Sequence, residues 1–461
     1  MPLGACRLNR RVLGLAVVLG AALNLGGCSK SGTTTTRFLP NRVLAAQAVS
    51  SATLSGGLYF VNGANDTLAS IPPLSGGQAP DLMALSPTRN IVAAFDGAPN
   101  SNTVFASDTT KDTSLGQGVH LAGTATSLIV PTSSPLAYAA VPSAVVSGYP
   151  VLGAVQVLDL SGGSVTSTIA VNKAETVVAT GTGSQLLVFS NDSDAITVLT
   201  PGVALPGVDL SCYNPNNPPP NAVCAIIAGF NRPVNAILNG TTAYILNCGF
   251  ECGGTQQATV QTLDLNSLSS GKPIIGPPVQ VNGATYGALS GNKLYLAGNG
   301  TPTGQLCSTL KSAGTTAATY CGTLDIVDLP TMTDPYFNSP STEIAIPDGY
   351  HDRMDMSING HLFVGSHLCQ NIGDVNNPNG EVRGCLAIYN TNTGTTVIPG
   401  DNGSVDGLQS FTTRDIEYVA EGGNLRVYDT TIDGLLINDF VPLGTIPVVG
   451  YVADVKAVDF F

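Results

Sequence analysis

The sequence predicts an all-β fold, a single β-propeller of about eight four-stranded blades, and three observations carry that prediction. Apolar–polar strands recur, and those that begin a matching stretch near Val43, Ile91, Ala137, Leu186, Ala243, Leu294, Leu362 and Ile416 lie 46 to 68 residues apart. A repeat of about 50 residues holding four strands is the signature of a propeller blade. Composition agrees: of 461 residues 53 are glycine and 30 proline, only 11% are charged, and Ser, Thr and Asn abound. These residues make poor helix interiors and good turns. The two ends also complement each other. The chain enters at a strand of the second kind, Arg42-Val43-Leu44-Ala45-Ala46, and finishes with a strand of the first kind, Val452 to Val458. Joined, they would complete one blade and leave no open edge. Seven blades is the alternative count.

The N-terminal segment reads as an address. Arg7, Arg10 and Arg11 precede an apolar run from Val12 to Leu25 that is short for a membrane span. The run ends Leu25-Gly26-Gly27-Cys28, which resembles the lipobox of bacterial lipoproteins. The resemblance implies cleavage after residue 27 and lipidation of Cys28, with residues 1–27 as signal peptide. A plain signal peptide or an uncleaved anchor are the other readings. Ser29 after the cysteine favours the outer membrane by the same resemblance, in an organism with two membranes. Cleavage removes three arginines and no acid, which takes the net charge from −13 to −16. Residues 28–40, with four consecutive threonines at Thr33 to Thr36, form a flexible tether able to reach ~40 Å. The acidic balance argues against nucleic-acid binding.

Residues 41–461 carry the repeat. We name the four strands of a blade A to D, from the inside outward. The C and D strands show in Leu58-Tyr59-Phe60-Val61-Asn62 followed by Asp66 to Ile71, in Val155 to Leu160 followed by Ser164 to Ile169, and in Leu324 to Leu329 followed by Thr342 to Ile346. The A and B strands show in Leu82 to Phe95, Tyr286 to Ala297 and Met354 to Gly365. Apolar–polar alternation there marks half-buried strands. The stretch Gly77 to Phe95, with Pro80, Ser86 and Pro87 in place, resembles the YVTN-type propeller repeat, although Arg89-Asn90 replaces the usual turn glycine. Gly229 to Asn247, with Pro233, carries the same text. That family spans many functions, so the resemblance implies the fold.

Eight cysteines follow the export segment, in four local pairs: Cys212 with Cys224, Cys248 with Cys252, Cys307 with Cys321 and Cys369 with Cys385. In an exported chain they suggest disulfides, and neighbour pairing is expected. The absence of CxxC and CxxCH argues against zinc and haem sites. In a propeller, A–B and C–D turns share one face, and B–C and D–A connections the other. Three of the cysteine pairs fall in B–C loops, so that face is expected to bind. Resistance to proteolysis would explain the same staples.

Three histidines cluster in sequence. His351 lies in the D–A connection Asp348 to Arg353 and His367 opens the next B–C loop, so both belong to the binding face; His361 belongs to the opposite one. His351, Asp352 and His367, with Asp348 or Asp355 near by, are therefore the candidates for a general base or a divalent metal. Arg353 and Arg232 occupy comparable D–A positions, for an anionic ligand or for carboxylates of the propeller. Asp374 and Asn376 lie in a stretch faintly like a calcium loop, but Asn379 stands where the pattern wants glycine. No cofactor is otherwise expected, and no GxSxG, P-loop or HExxH motif occurs. The expected function is a binding module of the bacterial cell envelope, exported and held to the membrane by its lipid. Its partner would be a protein, an envelope glycan or a small molecule. A propeller enzyme resembling lactonases, lyases or quinoprotein dehydrogenases is one alternative, and a structural scaffold the other.

Overall fold

The computed structural model describes residue 39 and residues 41–459, apart from 49–55, 150–151, 182, 204–209, 213–223, 299–307, 312–316, 321, 338–343, 348, 368–384, 400–402, 432–441, 447 and 449. Eight antiparallel sheets are arranged as an eight-bladed propeller. Blade one takes its A strand from the C-terminus (Tyr451–Ala457) and its B strand from the N-terminal side (Arg42–Ala48). These two pair antiparallel from Val43 opposite Ala457 to Ala48 opposite Tyr451. Arg42 reinforces the join with a bidentate ion pair to Asp459, and a second ion pair to Asp112 of blade two. Eight is therefore the count, and seven is set aside.

The A strands of blades two to eight are Pro80–Leu85, Ser127–Ile129, Ala174–Ala179, Pro233–Asn239, Tyr286–Ser290, Tyr350–Met356 and Val405–Phe411. The B strands depart from the expected half-burial. Ile91–Asp96 is buried at all six positions, and so are the central residues of Arg42–Ala48. A B strand lies between A and C within its sheet and under a neighbouring blade on each face. It therefore reads as a continuous apolar run, with small residues such as Ala93 and Ala94 where sheets close in. Alternation survives better in A strands, which face the channel, and D strands range from the short, exposed Thr67–Leu68 to the seven-residue Ser164–Ala170. The core is the set of inter-blade layers; Phe95, Val104, Leu158 and Ala139, for example, fill the space between blades two and three.

Two disulfides are described, Cys212–Cys224 and Cys248–Cys252, with Cα atoms 5.6 and 5.7 Å apart. Both are the neighbour pairings that the sequence suggests. The first closes the C–D insertion of blade four, whose Leu210–Ser211 adds a parallel strand to the edge of blade three. The second closes the B–C loop of blade five. Cys385 is also disulfide-bonded. Cys28, Cys307, Cys321, Cys369, Asp374 and Asn376 lie outside the described residues.

Candidate functional site

The inner strands bring the site together through a repeated irregularity. In six blades the A–B pairing skips one residue of the A strand, at Ala453, Asp81, Glu175, Val234, Asp352 and Asp406. Such a bulge places two residues of one strand opposite one of the other and re-aims a side chain. All six skipped residues line one cavity of about 1060 Å³, which inner-strand residues of every blade border. The cavity lies at the starts of the A strands, on the face of the D–A and B–C connections. Four of the six skipped residues carry carboxylates, so the backbone itself sets acids around the mouth.

The same alignment explains His351. The residue ahead of each bulge is Val452, Pro80, Ala174, Pro233, His351 or Val405, and all six are buried. His351 thus occupies a core position between blades six and seven, 1% exposed, and its carbonyl accepts a hydrogen bond from Thr285 Oγ1. Burial lowers its pKa to about 4, while Asp352 and the backbone of Pro347 and Gly298 act in the opposite sense. The sequence expectation placed it at the channel mouth; the bulge turns Asp352 there instead. His361 is buried at the far end of its strand, as its turn position implied.

His367, the last residue of the B strand His361–His367, does reach the mouth. Its Nε2 lies 3.1 Å from Asp352 Oδ1 and its Nδ1 3.1 Å from Asp406 Oδ1. Burial opposes a charge on the ring, but hydrogen bonds to the two carboxylates outweigh it and lift the pKa to about 9. His367 is therefore an imidazolium at neutral pH. Arg353 adjoins it, donating from Nη1 to Asp352 Oδ2 at 3.0 Å and from Nε to the Asp406 carbonyl at 2.9 Å. The Tyr451 hydroxyl donates to Asp406 Oδ2. One hydrogen-bonded chain thus links blades seven, eight and one.

Asp454 accepts from the Met83 amide at 3.0 Å and from Lys456 Nζ at 2.8 Å. Asp81 has no hydrogen-bond partner among the described residues. Burial raises its pKa, helped by Asp406 and Asp454 and opposed by Arg353 and His367. Arg232 lines the opposite wall and is partly committed, its amide to Asp194 Oδ1 at 3.1 Å and its Nη2 to the Gly253 carbonyl at 3.3 Å. Of the sequence candidates, then, Asp352, Arg353 and His367 converge, Arg232 faces them across the cavity, and His351 stands apart. Asp81, Glu175, Asp406 and Asp454 were not foreseen. The signal was present: Asp81, Glu175, Asp352 and Asp406 each stand ten or eleven residues ahead of Ile91, Leu186, Leu362 and Ile416. Among the described residues no group of three or more His, Cys, Asp or Glu is arranged to hold a metal ion.

These features define an eight-bladed β-propeller with a charged central funnel. No family model matches the chain, and no curated protein matches it in sequence. Among solved structures it is similar to the dihydro-heme d1 dehydrogenase NirN in complex with DHE, with 11% identity, 91% of this chain and 75% of that chain covered, and a TM-score of 0.54. It is also similar to the periplasmic gluconolactonase PpgL of Pseudomonas aeruginosa, with 12% identity, coverage of 90% and 98%, and a TM-score of 0.49. Likeness at such identity establishes the fold alone.

Proposed function

We propose that this chain is an exported propeller with YVTN-type repeats, tethered to a bacterial membrane by lipid on Cys28, which works as a binding module of the cell envelope. The observation that carries the reading is the funnel, where the inner strands deliver bulge-set charges to a single cavity and hydrogen bonds fix Asp352, Asp406, Arg353 and His367 in advance. Preorganised charges lower the ordering cost of binding, and a concave site with a few convergent polar groups suits a ligand or an inserted segment. The disulfides support export, because they persist in oxidising compartments.

The funnel is tested by calorimetry against a panel of envelope sugars, sugar acids and basic and acidic peptides. Saturable binding that Asp81→Asn or Arg353→Met weakens at least tenfold supports it; a panel without binders, or binders indifferent to both changes, removes it. Lipid attachment is tested separately, since Cys28→Ala should abolish palmitate incorporation and release the protein from membranes. Asp81 also favours a second reading, an enzyme, because an uncommitted carboxyl with a raised pKa beside an imidazolium has the make-up of a general acid or base. Turnover of any panel member that Asp81→Asn abolishes would select that reading over binding alone.

A further inference from the structure

We propose that the partner seated on this face is a protein that inserts a basic, apolar-flanked segment into the funnel; this rests on the binding reading above. Two independent features carry it. The first is charge. The cavity is lined by seven carboxylate side chains, against Arg232, Arg353, Lys456 and the imidazolium of His367. Arg353, His367 and Lys456 are committed to Asp352, Asp406 and Asp454, and Arg232, 3.9 Å from Asp194, keeps its Nε and Nη1 without a hydrogen bond among the described residues, whereas Asp81 and Glu175 form no ion pair among the described residues. Among the described residues the Glu175 carboxylate accepts from the Asn191 side-chain amide, at 2.8 Å, while its backbone carbonyl accepts from Thr126 Oγ1. Burial disfavours the charged form of both, a cost that an arriving cation would relieve.

The second feature is the rim. Five of the large apolar side chains that are exposed stand on this same face: Tyr451 on blade one, Val145 and Leu152 on blade three, Phe250 on blade five and Tyr350 on blade seven. They are 44 to 75% exposed. Val145 and Leu152 pair across the tip of the B–C hairpin of blade three, and Phe250 sits within the Cys248–Cys252 staple. Apolar contacts on alternate blades around an anionic mouth suit a segment with the opposite plan. Its apolar side chains would cover the rim while a lysine or arginine lays its aliphatic stem past Tyr350 and brings its charge to Asp81 and Glu175. A small hydrophilic cation would use the funnel and leave the rim bare.

The test uses the full chain and a fluorescent, acetylated peptide alternating leucine and lysine, read by anisotropy at low and moderate salt. Its glutamate counterpart and spermidine serve as competitors. The expected result is saturable binding that weakens with salt and that neither competitor matches. Asp81→Asn with Glu175→Gln should weaken it at least tenfold, and Phe250→Ser with Tyr350→Ser should do so while altering only exposed side chains. The proposal is overturned if the lysine peptide fails to bind, if the glutamate peptide binds equally, or if the rim pair has no effect. Should sugars or sugar acids bind the funnel while the lysine peptide does not, this inference falls and the binding reading stands.

Discussion

At His367 two opposing effects meet: burial, which expels charge, and the carboxylates of Asp352 and Asp406, which hold it. Because the folded pKa of about 9 exceeds the ordinary 6.5, the contribution to stability is complete below pH 6.5 and lost as pH rises through 9. We expect the melting temperature to fall across that window by the equivalent of about 2 kcal/mol, and His367→Gln to flatten the profile. Calorimetric melts from pH 6 to 10 check this. Glu417 offers a second case. It is fully buried in blade eight, its carboxyl pKa is raised well above the ordinary value by burial, and the neighbouring Asp355 adds to the rise. Asp355 takes amide hydrogens from Met356 and Ser410, so Glu417 carries the proton of the pair. The pair stabilises the protein at low pH and loses that contribution as pH rises. Glu417→Gln keeps a donor without the charge, and should raise stability at pH 7 by about 1 kcal/mol while changing little at pH 5. Chemical unfolding at the two pH values decides it.

At the scale of one strand, the repeated bulge separates the funnel lining from the core. The residue before it packs inward and the skipped residue faces the funnel, which makes neighbouring positions such as His351 and Asp352 opposites in environment. The position after the bulge is also constrained. At Gly407 an added Cβ would stand 2.8 Å from Asp454 Oδ1 and 2.8 Å from the Val455 amide nitrogen. Gly407→Ala should therefore cost about 1–3 kcal/mol and push Asp454 from its bond with the Met83 amide. Denaturant melts measure the loss. An unchanged midpoint would mean that blades eight and one slide apart freely.

For the molecule as a whole, the ring closes through blade one, where strands from the two ends of the described chain pair. Arg42 joins the C-terminal Asp459 and the blade-two Asp112, with side chains only 9 to 16% exposed. Arg42→Met removes both ion pairs and should cost about 3 kcal/mol, measured as a lowered unfolding midpoint. Removing residues 451–461 should do far more, because it bares Arg42–Ala48 as an open edge and takes away one wall of the funnel. Size-exclusion chromatography should then find oligomers or aggregate; a monomer with unchanged stability would contradict closure by this strand.

Much of this was legible in the residues. The period, the turn glycines and the complementary ends point to a closed propeller of about eight blades, because strand spacing and edge closure are local and combinatorial properties of the chain. The spacing suggested the neighbour pairing of Cys212 with Cys224 and of Cys248 with Cys252, and the folded chain fixed it. That the B–C and D–A connections share a face follows from strand direction alone, and the funnel opens on that face. What the tertiary structure decided is which side chains enter the funnel. A bulge inverts the facing of every residue beyond it; the acids recur at a near-constant distance ahead of the B strands, but which way they face is set only once two strands are paired. The full burial of the B strands had the same origin, since it depends on blades that meet only when the ring is shut.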